Sequence, residues 1–251
     1  MIRGKNHIIS ACILLISILT ACQHSGYKIN NSQGSFIKTD SLVGSDRLIE
    51  AIISPYRDSL KLEMGKVIGK AEYELSGGFP EGLLSNFVTD LVPVECERNG
   101  FQKPDICIVN VKGLRIPISK GDITVENIYQ LMPFENEIVY LTMSKDQVLE
   151  LFDFMASVGG DGMSGASFVI NGARAVDIRV QNKRLENRNY IIATSDYLAD
   201  GGDHFEVFQT AIERKSTGLK VRDAIIKHIK ELTASGDMIS SKLDKRIYYA
   251  Q

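Results

Sequence analysis

The ten residues Asp196-Tyr-Leu-Ala-Asp-Gly-Gly-Asp-His-Phe205 constrain this chain more than any other segment. A β-rich run, Tyr190-Ile-Ile-Ala-Thr-Ser195, leads into them, and Gly201-Gly202 then let the backbone turn sharply. Glycine reaches positive φ at little cost and lets other groups come close to the main chain. One short loop therefore displays an aromatic ring, Tyr197, and a carboxylate, Asp203. Two readings stay open at this level. The loop is a strand ending in a glycine turn with incidental polar residues, or it stacks a base on Tyr197 and holds ribose hydroxyls on Asp203.

The N-terminus reads as an export signal. Met1-Ile-Arg-Gly-Lys5 is basic, Ile8 to Leu19 is apolar but short for a membrane span, and Leu19-Thr-Ala-Cys22 closes the run. A Leu-x-Ala-Cys ending resembles the bacterial lipobox. It predicts cleavage before Cys22 and acylation of that residue, with two or more chains giving durable anchoring. The expected organisation is a lipoprotein signal peptide over 1–21, a lipidated polar tether over 22–45 and one domain over 46–251. The expected location is the bacterial cell envelope, on an outer membrane facing the periplasm.

With 29 basic and 31 acidic residues, the formal charge of −2 offers no polyanion-binding excess, which argues against nucleic acid as a partner. Cys96 and Cys107 remain in the domain. An oxidising compartment permits a disulfide between them, while the apolar run Ile106-Cys-Ile-Val109 suits a free buried thiol equally well.

Along the domain, helices are expected over 46–54, over 55–64 after a second start at Ser54-Pro55, and over 81–92. Strands are expected over 67–75, 104–111 and 138–143, with a short helix capped by Thr124. Ser144-Lys-Asp-Gln147 is a capping box that opens a helix turning Val148, Leu151, Phe152 and Met155 inward. Residues 159–165 read as a flexible loop. Strands follow over 167–170, 176–180, 190–194 and 245–249, with a last helix over 219–232. His228 in that helix reads as exposed. The irregular alternation favours a mixed α+β domain over a doubly wound sheet.

Four ordered blocks resemble the C-terminal, substrate-binding domain of the 5'-nucleotidase family. They are Glu81-Gly-Leu-Leu-Ser-Asn-Phe-Val-Thr-Asp90, Asn110-Val-Lys-Gly-Leu-Arg-Ile-Pro-Ile118, Gly121-Asp-Ile-Thr-Val-Glu-Asn127 running into Pro133-Phe-Glu-Asn136, and the 196–205 loop. In the family the last block reads Asn-Phe-Leu-Ala-x-Gly-Gly-Asp-Gly-Phe. The resemblance implies that Phe134 and Tyr197 clamp a base, that Asn110 meets its edge, and that Arg115 grips ribose or phosphate. It also implies that Asp203 accepts ribose hydroxyls, and it puts Asn136 in the same pocket. Four positions depart from the family pattern: Pro80 stands where relatives often carry an arginine, Lys112 replaces a glycine, His204 replaces another, and Tyr197 keeps the ring of the usual phenylalanine and adds a hydroxyl.

The resemblance further implies that a dinuclear metal centre in a separate domain performs phosphate-ester hydrolysis. The sequence has four histidines, His7, His24, His204 and His228, and no Asp-x-His, Gly-Asp-x-x-Asp or Gly-His-x-His segment. The expectation is thus a nucleotide- or nucleoside-binding domain with no cofactor of its own and no catalytic residue. It would act with a separate metallophosphoesterase carrying divalent metal ions. The alternative is a non-catalytic nucleoside- or sugar-nucleotide-binding lipoprotein. A Ser164-centred elbow and a Ser195–His204–Asp203 triad are both disfavoured by spacing.

Overall fold

The computed structural model describes residues 29–37, 40 and 44–250. The expected signal peptide, and Cys22 with it, lie outside them. The chain divides into two units, Met1–Glu50 and Ala51–Gln251. In the first, the described residues before Arg47 carry no regular structure. The Asp46 carboxylate there accepts the Leu48 and Ile49 amides at 2.8 and 3.2 Å and opens a helix. That helix, α1 (Arg47–Met64), continues through Pro55 instead of restarting there. A proline removes one donor from the ladder, and here the turns on either side carry on around it.

In the second unit, β1 (Val67–Ala71), α2 (Leu83–Arg98) and β2 (Ile106–Val109) come first. Helix α2 also runs past a proline, Pro93, to end six residues beyond the expected Val92. Strand β3 (Gly121–Thr124) pairs antiparallel with β1. Thr124 then caps α3 (Val125–Leu131) in a reciprocal box with Asn127. Strand β4 (Glu137–Met143) leads to α4 (Lys145–Ser157), opened by the expected Ser144–Gln147 box. Five strands follow: β5 (Gly162–Ser164), β6 (Ala166–Asn171), β7 (Arg174–Val180), β8 (Lys183–Arg184) and β9 (Tyr190–Ser195). The short helix α5 (Asp196–Ala199), strand β10 (Glu213–Lys220), helix α6 (Val221–Ala234) and strand β11 (Ile247–Tyr249) complete the order.

The centre is a five-stranded mixed sheet in the order β10-β4-β9-β2-β5. Its inner strands are buried on both faces, which is why Ile106-Cys-Ile-Val109 reads as an unbroken apolar run. Alternation assigns each residue to a side. Cys107, Val109, Ile138, Tyr140 and Ala193 join a core with α2, α3 and α6. Ile106, Ile108, Val139, Leu141 and Ile192 join a second core, with Val148, Leu151, Phe152 and Met155 of α4. The four-stranded sheet β11-β6-β7-β8 lies over that second core. Both cysteines are buried and free.

Two expectations fail here. Within the glycine-rich 159–165 segment, read as a loop, Gly162–Ser164 form an edge strand, β5, while the residues on either side remain irregular. A Cβ on Gly162 would sit 2.4 Å from the Val109 carbonyl oxygen, so glycine is what allows this strand to close on β2. His228 is not exposed, because its side chain retains 13% of its accessible surface. Its ring packs edge-on against Phe87, and Nδ1 lies 3.1 Å from the Glu95 carboxylate. Burial pushes the Glu95 carboxyl up, but His228, Arg98 and Lys227 outweigh it and hold it below its ordinary range. This ionic knot ties α2 to α6.

The 81–90 block serves the fold. Glu81 accepts the Asn86 amide at 2.6 Å and the Asp244 and Arg246 backbone amides at 2.9 and 3.2 Å. Asp90 holds the Arg246 guanidinium through two bonds of 2.7 and 2.8 Å. Helix α2 thereby fixes the segment that delivers β11 to the second sheet.

Candidate functional site

Register decides where the functional side chains meet. Strands β2 and β9 are parallel, with Ile106 opposite Ile192 and Cys107 opposite Ala193. Their C-terminal ends therefore lie together. Strand β4 runs antiparallel to β9, with Ile138 opposite Ser195, so β4 begins where β9 ends. Strand β10 finishes there too, with Lys220 opposite Glu137. Four chain segments consequently enter or leave the sheet at one edge. Ligands of sheets with parallel strands commonly sit beyond such carboxyl ends.

A cleft of about 340 Å³ opens at that edge. Asn110, Arg115, Phe134, Asn136, Tyr197 and Asp203 all line it, together with Lys112, Ser195 and an apolar floor that includes Val109, Met132 and Val221. The volume lies within the range of small-molecule sites. Phe134 and Tyr197 are 41% and 45% exposed, so each ring leaves part of its surface open at the cleft. The Arg115 guanidinium forms no hydrogen bond or ion pair with another described residue, so its donors face the cleft unspent.

The loops are built to hold these groups. Asn110 ends the β2 segment, and its side chain lies so close over Gly113 that a Cβ there would be 2.8 Å from Asn110 Oδ1. Of the Lys112-Gly113 pair, it is thus the second position that requires glycine. Asn110 Nδ2 donates to Asp203 Oδ2 at 2.7 Å, and the Tyr197 hydroxyl donates to Oδ1 at 2.9 Å. Asn136 donates to Asp196 at 3.2 Å and links the Phe134 loop to the Tyr197 loop. Asp203 and His204 both have positive φ, 51° and 66°, which explains the preference for a small or turn-forming residue at His204. Ser195 Oγ accepts the Leu198 amide and caps α5, and Ser164 Oγ donates to the Thr89 carbonyl.

Sequence reasoning missed three supporting residues. Arg222 is 6% exposed, donates to the Phe134 carbonyl at 3.3 Å and lies 4.1 Å above the Tyr129 ring. It also pairs with Glu135, which Lys220 grips at 2.6 Å. Lys220 and then Arg222 hold the Glu135 carboxyl down at about 2. A signal was present: Lys220 and Arg222 flank the positive end of α6, where a helix disfavours cations and an external carboxylate is implied. The third is Asp161, hidden in the segment read as a loop. Its Oδ1 accepts the Val111 amide at 2.6 Å and the Gly162 amide at 2.9 Å, anchoring the turn that carries Asn110.

The described residues do not fit a dinuclear metal centre. Among them no group of three or more His, Cys, Asp or Glu side chains is arranged to hold a metal ion. His228 is committed to Glu95, and His204 lies on the Asp203 loop, away from it in sequence and in element.

Burial pushes the Asp161 carboxyl up to about 6, against the pull of its two amides and with a contribution from the Asp203 charge. Its folded value thus exceeds the ordinary 3.8. The stability linked to this proton is full below 3.8 and is lost as pH rises through about 6. Asp161→Asn keeps an oxygen for both amides and removes the charge. We expect the variant to exceed the parent in stability by about 1–3 kcal/mol at pH 7.5 and to converge on it near pH 4. Thermal unfolding at both pH values checks this; a gap independent of pH would show that the ionised form carries no penalty.

The site's elements have relatives in known proteins. The family model described as 5'-nucleotidase, C-terminal domain, matches residues 67–210. Protein UshA of Yersinia enterocolitica is 24% identical over 197 residues, covering 75% of this chain and 35% of that protein. Protein UshA of Escherichia coli is 22% identical over 214 residues, covering 82% and 37%. Among solved structures, the 5'-nucleotidase precursor of Thermus thermophilus superposes with a TM-score of 0.68 at 25% identity, covering 81% of this chain and 43% of that one. The chain thus spans about two-fifths or less of the length of these curated relatives. A match over 67–210 takes in the central sheet through β9, the cleft loops and the Gly201-Gly202 turn, and on it this chain belongs to the 5'-nucleotidase C-terminal domain family.

Proposed function

We propose that the cleft binds a nucleotide or nucleoside, and that the chain is the substrate-binding part of a 5'-nucleotidase-type phosphohydrolase. The observation that carries this reading is the convergence of two exposed rings, an unspent guanidinium and an amide–carboxylate pair at one sheet edge. Phe134 and Tyr197 supply flat faces for a base, each contact worth about 1–3 kcal/mol. Asn110 stands beside the base edge, Asp203 accepts sugar hydroxyls and Arg115 meets a phosphate.

On this reading the ester bond is broken elsewhere. The described residues offer no donor set for two metals, and the relatives carry more than half their length outside the matched region. A separate metallophosphoesterase domain would supply the hydrolytic centre, and this chain would hold the ligand toward it. Positioning a reactant can remove several kcal/mol from a barrier without any chemistry by the binding part. The Leu19-Thr-Ala-Cys22 ending supports attachment of this part to the cell envelope through lipid on Cys22.

Calorimetric titration with AMP tests the cleft. Phe134→Ala should weaken binding by about 1–3 kcal/mol, and an unchanged affinity would remove the ring from the site. AMP hydrolysis by a purified metallophosphoesterase domain, with and without this chain, tests the division of labour. Binding without any rate change would favour a non-catalytic binding lipoprotein. Cys22→Ser should move the protein from the membrane to the soluble fraction; retention in the membrane would exclude lipid on Cys22 as the anchor.

A further inference from the structure

A second cleft, of about 640 Å³, lies between α2 and α6 and shares no lining residue with the first. Its walls include Phe87, Leu91 and Val94 of α2, His228 and Leu232 of α6, and Met238. The segment after α6 closes one side and is fixed there. Ile239 donates to the Lys70 carbonyl at 2.8 Å and accepts the Glu72 amide at 3.1 Å, and the Tyr73 hydroxyl accepts the Ser241 amide at 3.0 Å. A largely apolar cleft of this size suits a small molecule, and such sites orient their ligand through a few polar groups. His228, with 13% of its side-chain surface accessible, stands among these walls as one.

The His228 ring is fixed at one nitrogen and unspent at the other. Nδ1 lies 3.1 Å from Glu95 Oε1, and Arg98 Nη1, itself bonded to that oxygen, lies 3.4 Å from the same nitrogen. The charge on Glu95 decides between these two neighbours. Burial pushes its carboxyl up, but His228, Arg98 and Lys227 outweigh burial and hold it below its ordinary range. A lone pair on Nδ1 would face that anionic oxygen, so Nδ1 carries the proton and donates it to Glu95. Nε2 of the neutral ring is then an acceptor, made more basic by the carboxylate behind the ring. No described residue bonds to Nε2. An acceptor left in an apolar cleft calls for a ligand that brings its own donor. The Phe87 ring, edge-on to His228, and the Met238 thioether favour an aromatic body over a linear chain. We propose that this cleft is a second ligand site, taking a phenol-type molecule whose hydroxyl donates to His228 Nε2.

Two probes of nearly equal shape test the site: 4-ethylphenol, which carries the donor, and 4-ethylanisole, whose methyl ether removes it. Each is titrated into the full chain while the imidazole nitrogens are followed by nitrogen NMR. The variant His228→Asn keeps an amide that can donate to Glu95 and leaves nothing in place of Nε2. Thermal unfolding confirms that it is folded. In the parent, 4-ethylphenol should shift the Nε2 signal and bind about tenfold more tightly than the ether, the scale of one hydrogen bond. In the variant the two probes should bind within about twofold of each other. Equal affinity of the parent for both probes, a phenol preference that survives in His228→Asn, or no binding of either probe would overturn the site. A proton found on Nε2 in place of Nδ1 would overturn it as well. If the variant does not fold, the comparison of phenol and ether on the parent decides by itself.

Discussion

The parallel pairing of β2 with β9 is the constraint from which the rest of the cleft follows. Two parallel strands end on the same side, so Asn110 and the Tyr197–Asp203 loop emerge beside each other although 93 residues separate Asn110 from Asp203. The antiparallel partner β4 then starts at that side and brings Phe134 with it. A one-residue slip of β9 would turn Thr194 and Ala193 to opposite faces and send the loop away from Asn110. The pairing is held by burial on both faces, which makes register costly to change. Cleft geometry thus rests on the two cores and not on the loops alone.

Much of the fold was legible because its signals are local. The Ser144–Gln147 box and its inward face Val148, Leu151, Phe152 and Met155 form as read, since capping and helical periodicity act within one or two turns. The buried strand Ile106–Val109 was legible for the same reason. What escaped was decided by tertiary contact. Strand β10 is exposed along most of its length, so no alternation marked it, and it exists because β4 offers an open edge. Strand β5 was hidden by glycines that look like a loop until Val109 is seen to require one. His228 gave no sign of Glu95, which lies on another helix.

The site shows the same division. The six residues expected in the pocket line one cleft, and three separated blocks of sequence contribute them. The residues that hold them, Asp161, Arg222 and Glu135, were invisible, since each works through a backbone amide, a carbonyl or an ion pair supplied by a distant segment. Arg222 alone left a trace, as a cation set against a helix dipole. Local inconsistency of this kind points to a partner that the sequence does not name.

The departures from the family pattern look different once placed in space. Pro80 packs beneath Gly160, where a Cβ would be 2.4 Å from the Pro80 carbonyl oxygen, so this position supports the Asp161 turn. Lys112 occupies the one member of its pair that does not need to be glycine, and it brings a second cation to the cleft rim. His204 sits at positive φ, where it can be tolerated at a modest cost in backbone energy. The tyrosine at 197 keeps an aromatic ring and adds a hydroxyl, which donates to Asp203 Oδ1 at 2.9 Å. That bond ties the ring of the loop to its carboxylate, so the placement of the two groups follows from the strand pairing that delivers the loop and from the contacts the loop makes within itself.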